Sequence, residues 1–200
     1  GPARAAARQP RAARHGTGRR GGAAGALPAS GSDPPAGTGA ATGGTGQLRA
    51  NDARLPGRKF NTDPSLPSCP QLHILRIDGS LFFGSINHVQ EAFADLEEQH
   101  PEQKHLAIVA EGINFADITG GAILVKEARR RKARGGNLYL MKVKKGLWES
   151  LESCGCLDAI GPNNFFQSKT AAITGIFQKL DKSVCQRCDK RIFRECASIQ

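Results

Sequence analysis

The chain has 200 residues, 39% of them hydrophobic, and a formal net charge of +10, which suits one cored domain with an appendage. No apolar run approaches the roughly eighteen residues of a membrane-crossing helix, and no apolar segment follows the N-terminal arginines as a secretory signal would require. The six cysteines (69, 154, 156, 185, 188, 196) are therefore expected to be reduced thiols rather than a disulfide framework.

Residues 1–55 read as a disordered tail rich in Ala, Gly, Arg and Pro. Through residue 58 the only large apolar side chains are Leu27, Leu48 and Leu55, too few to offset the entropy of ordering a chain. Nine arginines against Asp33 and Asp52 give this stretch +7 of the +10, leaving +3 for the remainder. A nucleic-acid-binding arm is disfavoured, because the arginines are scattered and no aromatic side chain is there to stack on a base. The tail uses arginine and never lysine, and the chain opens on Gly1; both features suggest a fragment, or a segment read from GC-rich DNA in an unnatural frame.

Residues 56–70 read as a linker, broken by Pro56, Pro64, Pro67 and Pro70. Leu72–Ile77 follows as a strand. Asp78-Gly79 then predicts a hairpin turn into a second strand, Ser80–Phe83. From Asn87 the period becomes helical, with Val89, Ala92, Phe93 and Leu96 on one face, until Pro101 stops it. Leu106–Ala110 is a buried strand. A second helix is predicted from Thr119 to Arg134, with Leu124, Val125 and Ala128 inward. Its basic end (Arg129 to Lys132, Arg134) reads as a solvated helix terminus that complements the dipole. Asn137–Val143 is a strand, Leu147, Leu151 and Cys154 mark a third helix closed at Gly155, and Asp158–Ile160 is a short strand. Ser168 caps a fourth helix with the core stripe Ala172, Ile173, Ile176, Phe177 and Leu180. The order β-β-α-β-α-β-α-β-α predicts an α/β fold with a mixed, largely parallel sheet and crossover helices over 71–182, followed by a cysteine-containing tail, 183–200.

The chemistry concentrates between the buried strand and the second helix, in Gly112-Ile113-Asn114-Phe115-Ala116-Asp117-Ile118-Thr119-Gly120-Gly121. A helix N-terminus offers unpaired N–H groups and partial positive charge. Thr119 is expected to cap it, and Gly120-Gly121 to let another molecule approach. Such a site suits a phosphate, a phosphorylated hydroxyl or a partner's carboxylate. The histidines 15, 73, 88, 100 and 105 sit in no nucleophile or metal motif, and no G-x-x-x-x-G-K-[ST] loop occurs. The chain is not expected to be an enzyme, and no cofactor is expected. The Cys185-x2-Cys188 spacing with Cys196 is a candidate metal set, although a fourth ligand is not evident in the sequence.

The strand, Asp117-Ile118-Thr119-Gly120 and helix resemble the STAS domain, the fold of bacterial anti-sigma-factor antagonists and of the cytosolic C-terminal part of sulfate permease (SulP) transporters. Pro56–Phe60, Cys69–Leu72 and Ile74–Gly84 resemble the SulP branch, and the resemblance spans roughly 56–182. It implies a STAS-like fold and a regulatory, protein-interaction role in a SulP-type carrier of sulfate or a related anion. It further implies a cytoplasmic location, or one on the cytoplasmic face of the inner membrane. The partner would be the transporter's membrane part or a regulatory protein, met through Asp117, Thr119, Gly120 and Gly121. The antagonist branch implies the alternative of a stand-alone switch phosphorylated at Thr119, the only hydroxyl where that branch often has two. A third reading is weak nucleotide-phosphate binding at Gly120-Gly121.

Overall fold

The computed structural model describes residues 45–50, 60–61 and 65–199. The sheet has the order β2-β1-β3-β4-β5-β6, formed by β1 (Thr45–Ala50), β2 (Phe60–Asn61), β3 (Leu72–Asp78), β4 (His105–Gly112), β5 (Leu138–Met141) and β6 (Phe165–Phe166). β3 to β6 are parallel, and β1 runs antiparallel to β2 and β3. The helices are α1 (Ile86–Gln99), α2 (Ile118–Ala133), α3 (Lys145–Ser153), α4 (Cys156–Ile160), α5 (Lys169–Lys179) and α6 (Lys182–Arg187). The fold is thus mixed α/β with a four-stranded parallel core.

Strand order from β3 to β6 advances in one direction only. Right-handed crossovers then place every intervening helix on the same face. Ile77, Ile108 and Leu140 point to that face, where they meet Val89 and Phe93 of α1, Leu124 of α2 and Leu147 of α3. The alternate side chains of the same strands, Ile74, Val109, Tyr139 and Met141, point the other way. They are covered by the chain that follows the last strand: Ile173, Ile176 and Phe177 of α5, then Cys185 and Phe193.

Four sequence expectations are corrected. Ser80–Phe83 forms no strand and Asp78-Gly79 no hairpin; Leu81 makes only an isolated parallel bridge to Ala116. Both edges of β3 are already taken, by β1 and β4, so no edge is left for a hairpin partner. The antiparallel neighbour instead comes from upstream, where Thr45–Ala50 pairs with Leu48↔Ile74 and Thr45↔Ile77 in register. This strand lies inside the expected disordered tail. Backbone hydrogen bonds to an open sheet edge, rather than an apolar pattern, define it; the remainder of 1–55 lies outside the described residues. Asp158–Ile160 is helical within α4, because Gly155 at φ +65° turns the chain out of α3 and a new helix starts at once. The short edge strand is Phe165–Phe166.

The fourth correction concerns the basic end of α2. Only Arg129 and Lys132 face water as predicted. Arg131 is 1% exposed; its Nε donates to Glu127 at 2.6 Å and one terminal nitrogen to the Gln103 carbonyl at 2.7 Å. Arg130 donates to Glu97 and, at 2.9 Å, to the Phe93 carbonyl. Arg134 reaches the other Glu97 oxygen at 2.9 Å. The arginines clasp α2 to α1 and to the turn before β4. Buried guanidinium groups persist because each finds a carboxylate or a carbonyl.

β4 opens on His105, buried beside Tyr139 with Nδ1 3.1 Å from its hydroxyl. Burial disfavours the imidazolium, and Lys179, Arg131 and Lys104 add repulsion, lowering its pKa from 6.5 to about 4. The unfolded chain therefore binds the extra proton between those two values, so stability present above pH 6.5 is lost as pH falls towards 4 and then levels off. The expected contribution is up to about 3 kcal/mol. Urea titrations of wild type and His105→Gln across this window should diverge at the acid end, the variant losing less stability. Parallel curves would show that His105 is not buried neutral.

Candidate functional site

The site is assembled where β3 and β4 end. β4 hands over at Gly112 to a loop reaching α2, and β3 hands over at Asp78 to a loop reaching α1. The two loops meet through three backbone contacts. Leu81 N–H donates to the Phe115 carbonyl at 3.0 Å, Asp117 N–H donates to the Leu81 carbonyl at 2.9 Å, and Gly79 N–H donates to the Gly112 carbonyl at 3.0 Å.

Asp117 then ties the loops a second time. It is the N-cap of α2, with one carboxylate oxygen accepting from Gly120 N–H at 2.7 Å. The other oxygen accepts from Phe83 N–H at 3.0 Å, on the opposite loop. This revises the expected cap: Asp117, not Thr119, starts the helix, and Thr119 is exposed at its second position. Asp is among the preferred N-caps, and the capped amide lies three residues on, where the N-cap geometry places it.

Gly120 and Gly121 are buried by the protein itself rather than left open to an incoming molecule. A Cβ on Gly120 would stand 2.3 Å from the Leu81 carbonyl oxygen, so the opposing backbone fills that space. A Cβ on Gly121 would meet the sulfurs of Cys156 and Cys154 at 2.8 and 2.9 Å. Those two cysteines form a disulfide, which corrects the expectation of six reduced thiols. Their Cα atoms stand 5.2 Å apart across Gly155, within the usual span for a bridge. The position an external phosphate would take at the α2 N-terminus is held by the Asp117 carboxylate, a like charge.

What the site presents outward is apolar. Phe83 is 80% exposed and Ile118 82%, with Phe115 and Phe82 also exposed. All four lie within two residues of the bridged Leu81–Ala116 pair or of Asp117. Charged groups rim the same strand ends: Arg76 with Asp78 at 2.7 Å, and Lys142 with Glu111 at 2.6 Å. The Lys142 hydrogen bond holds the Glu111 carboxyl below its usual range. Lys144 donates to Asn114 at 3.2 Å.

The remaining candidates lie on the other face of the sheet. Cys185, Cys188 and Cys196 belong to a packed segment, with Cys185 buried and Phe193 4% exposed, rather than to a loose tail. Cys69, placed by sequence in the linker, is buried beside them. Among the described residues no three His, Cys, Asp or Glu side chains already stand as a ligand set.

This is a small mixed α/β domain that ties two loops together at the carboxyl ends of its parallel strands. A family model for the STAS domain matches residues 63–172, more than half of the chain, and the chain belongs to the STAS domain family. It is 28% identical over 97 residues to a putative sulfate transporter, YvdB, of Bacillus subtilis (strain 168), covering 48% of this chain and 18% of that protein. Its fold is similar to that of the murine anion transporter Slc26a9 in the inward-facing state. There the TM-score is 0.56 at 15% identity, over 67% of this chain and 22% of that one. A sulfate transporter family protein from Wolinella succinogenes matches with a TM-score of 0.50 at 22% identity, over 64% of this chain and 98% of that one. The chain thus spans about a fifth of YvdB and of Slc26a9.

Asp117→Ala should cost about 1–2 kcal/mol through the lost cap and shift the amide resonances of both Gly120 and Phe83, whereas Asp117→Asn should restore most of the stability. Gly120→Ala should cost more than Asp117→Ala, since its Cβ meets backbone at 2.3 Å. Thermal melts of the three variants give the order, and a Gly120→Ala protein as stable as wild type would refute the close approach of Leu81.

Proposed function

We propose that this domain is the regulatory, protein-interaction part of a SulP-type transporter of sulfate or a related anion, working on the cytoplasmic side of the membrane. The observation that carries the reading is the exposed apolar group of Phe82, Phe83, Phe115 and Ile118, gathered on the two loops that Asp117 ties. Single exposed apolar residues are ordinary on a protein surface, but a gathered set rimmed by charge marks a contact surface. The partner in this reading is the membrane-spanning part of such a transporter. Among the described residues no helix is long and apolar enough to cross a membrane. The similarity to a putative sulfate transporter of Bacillus subtilis supports the choice of partner.

A second reading attaches to Thr119, which is exposed beside Ile118 at the start of α2. A phosphate there would place roughly two negative charges within the apolar patch and weaken any contact made through it. In the stand-alone antagonist version of this reading, the partner is a regulatory kinase and phosphate releases it. Nucleotide binding has less support, because Gly120 and Gly121 are occupied by Leu81 and by the disulfide.

The test is binding of this chain to the purified, detergent-solubilised membrane part of a SulP transporter, read by interferometry. Phe83→Ser and Ile118→Ser, both surface changes, should each weaken binding by about tenfold or more without lowering the melting temperature. Thr119→Glu should weaken it in the same direction. Undiminished binding by the Phe83/Ile118 double variant would remove this surface from the contact, and binding to a regulatory kinase alone would favour the second reading.

A further inference from the structure

The second face of the sheet carries a group of thiols that the loop surface does not use. Cys69, Cys185, Cys188 and Cys196 line one small cavity of about 10 Å³, together with Gln71, Arg191 and Phe193. That is about the space of a single water molecule or ion. All four are free, unlike Cys154 and Cys156. They come from three separate segments: the coil before β3, the last turn of α6, and the 3-10 turn Arg194–Ser198.

We propose that these four cysteines form a structural Zn²⁺ site with four thiolate ligands. Sequence spacing offers three ligands and no fourth; the fold supplies the fourth, Cys69, from the other end of the domain. The C-x2-C half is already wound for chelation: Cys188 N–H donates to the Cys185 carbonyl at 3.3 Å, putting both residues on one side of a turn. Cys196 N–H donates to the Phe193 carbonyl at 2.9 Å in the turn that faces them.

The environment suits a thiolate cluster. Four thiolates around Zn²⁺ leave a net charge of −2, and the segment that wraps them is basic: Lys182, Arg187, Lys190, Arg191 and Arg194 stand against Asp181, Asp189 and Glu195. Gln71 donates its amide to Cys185 Sγ at 3.3 Å and also to the Asp181 carbonyl at 2.9 Å, the kind of outer contact that orients a metal ligand. Arg191 donates to the Ile199 carbonyl at 3.1 Å, closing the last turn over the cavity. A thiol ligates metal as the thiolate, so each of the four sulfurs must give up its proton on binding. Binding would release those protons and draw the four sulfurs inward by side-chain rotation. A cysteine has one such torsion with three staggered positions.

The experiment uses the full chain, reduced and stripped of metal, titrated with Co²⁺ and then Zn²⁺. The expected result is one equivalent of Co²⁺ with thiolate-to-cobalt charge-transfer and tetrahedral d–d bands, displaced by Zn²⁺, and a higher melting temperature with metal. Cys188→Ser, at a half-exposed position, should weaken binding by more than the ~100-fold that marks the upper end for loss of an outer-shell contact. Cys69→Ser should do the same, and Cys156→Ser should not. Absence of the charge-transfer bands in the reduced protein, or full affinity in both Cys69→Ser and Cys188→Ser, would overturn the site. So would quantitative recovery of Cys185 and Cys188 as a mutual disulfide from cells, shown by mass spectrometry of alkylated peptides.

Discussion

The central strand β4 sets the terms for the whole domain. Six consecutive residues from His105 to Ala110 are buried, so both faces of the sheet must be covered. A strand of this kind cannot sit at an edge or leave one side to water, and parallel strands on either side with helices above and below are the solution available to it. One cover is supplied by the crossover helices as a by-product of chain direction. The other has to be brought separately, and the chain after β6 brings it.

The loop surface follows from the same constraint. Parallel strands end together, so the segments leaving β3 and β4 start as neighbours, and a few contacts suffice to bind them. Asp117 makes the most economical of these contacts, with one carboxylate serving a helix cap on its own segment and a backbone amide on the other. Because backbone and carboxylate hold the loops, the side chains of Phe83 and Ile118 are not needed for internal packing and stand in solvent. The apolar surface is thus separated from the structure that carries it, which lets it vary without unfolding the domain.

Most of the core was legible in the sequence, because it is written in local periods. Val89, Phe93 and Leu96, or Ala172, Ile173, Ile176 and Phe177, mark a buried helical face, and these positions are buried. What was not legible was decided by partners far away in the chain. β1 has no apolar alternation and is defined by its backbone pairing with β3, on the side away from β4. The run Leu81-Phe82-Phe83 has strand composition, yet only Leu81 turns inward. Asp117 was recognisable as part of the site, but its second bond, from the Phe83 amide on the other loop, was not. The two glycines were expected to admit another molecule, whereas Leu81 and a disulfide occupy the space beside them, and neither of those neighbours could be read from the glycines' spacing. Cys69 joining three cysteines from the far end is the same lesson, since no pattern within a window relates them.

The late arrival of the second cover also has a consequence for biosynthesis. Ile74, Val109, Tyr139 and Met141 belong to strands that are complete before α5 and the segment behind it have been synthesised. Until residues 169–199 leave the ribosome, the nascent sheet carries one finished and one bare apolar side. Exposed sheet surface of this kind invites association with other unfinished chains. A ribosome that stalls or terminates before the codons for residues 169–199 are read would release a product with most of its strands and half of its core, and chaperones or proteases would be its natural fate.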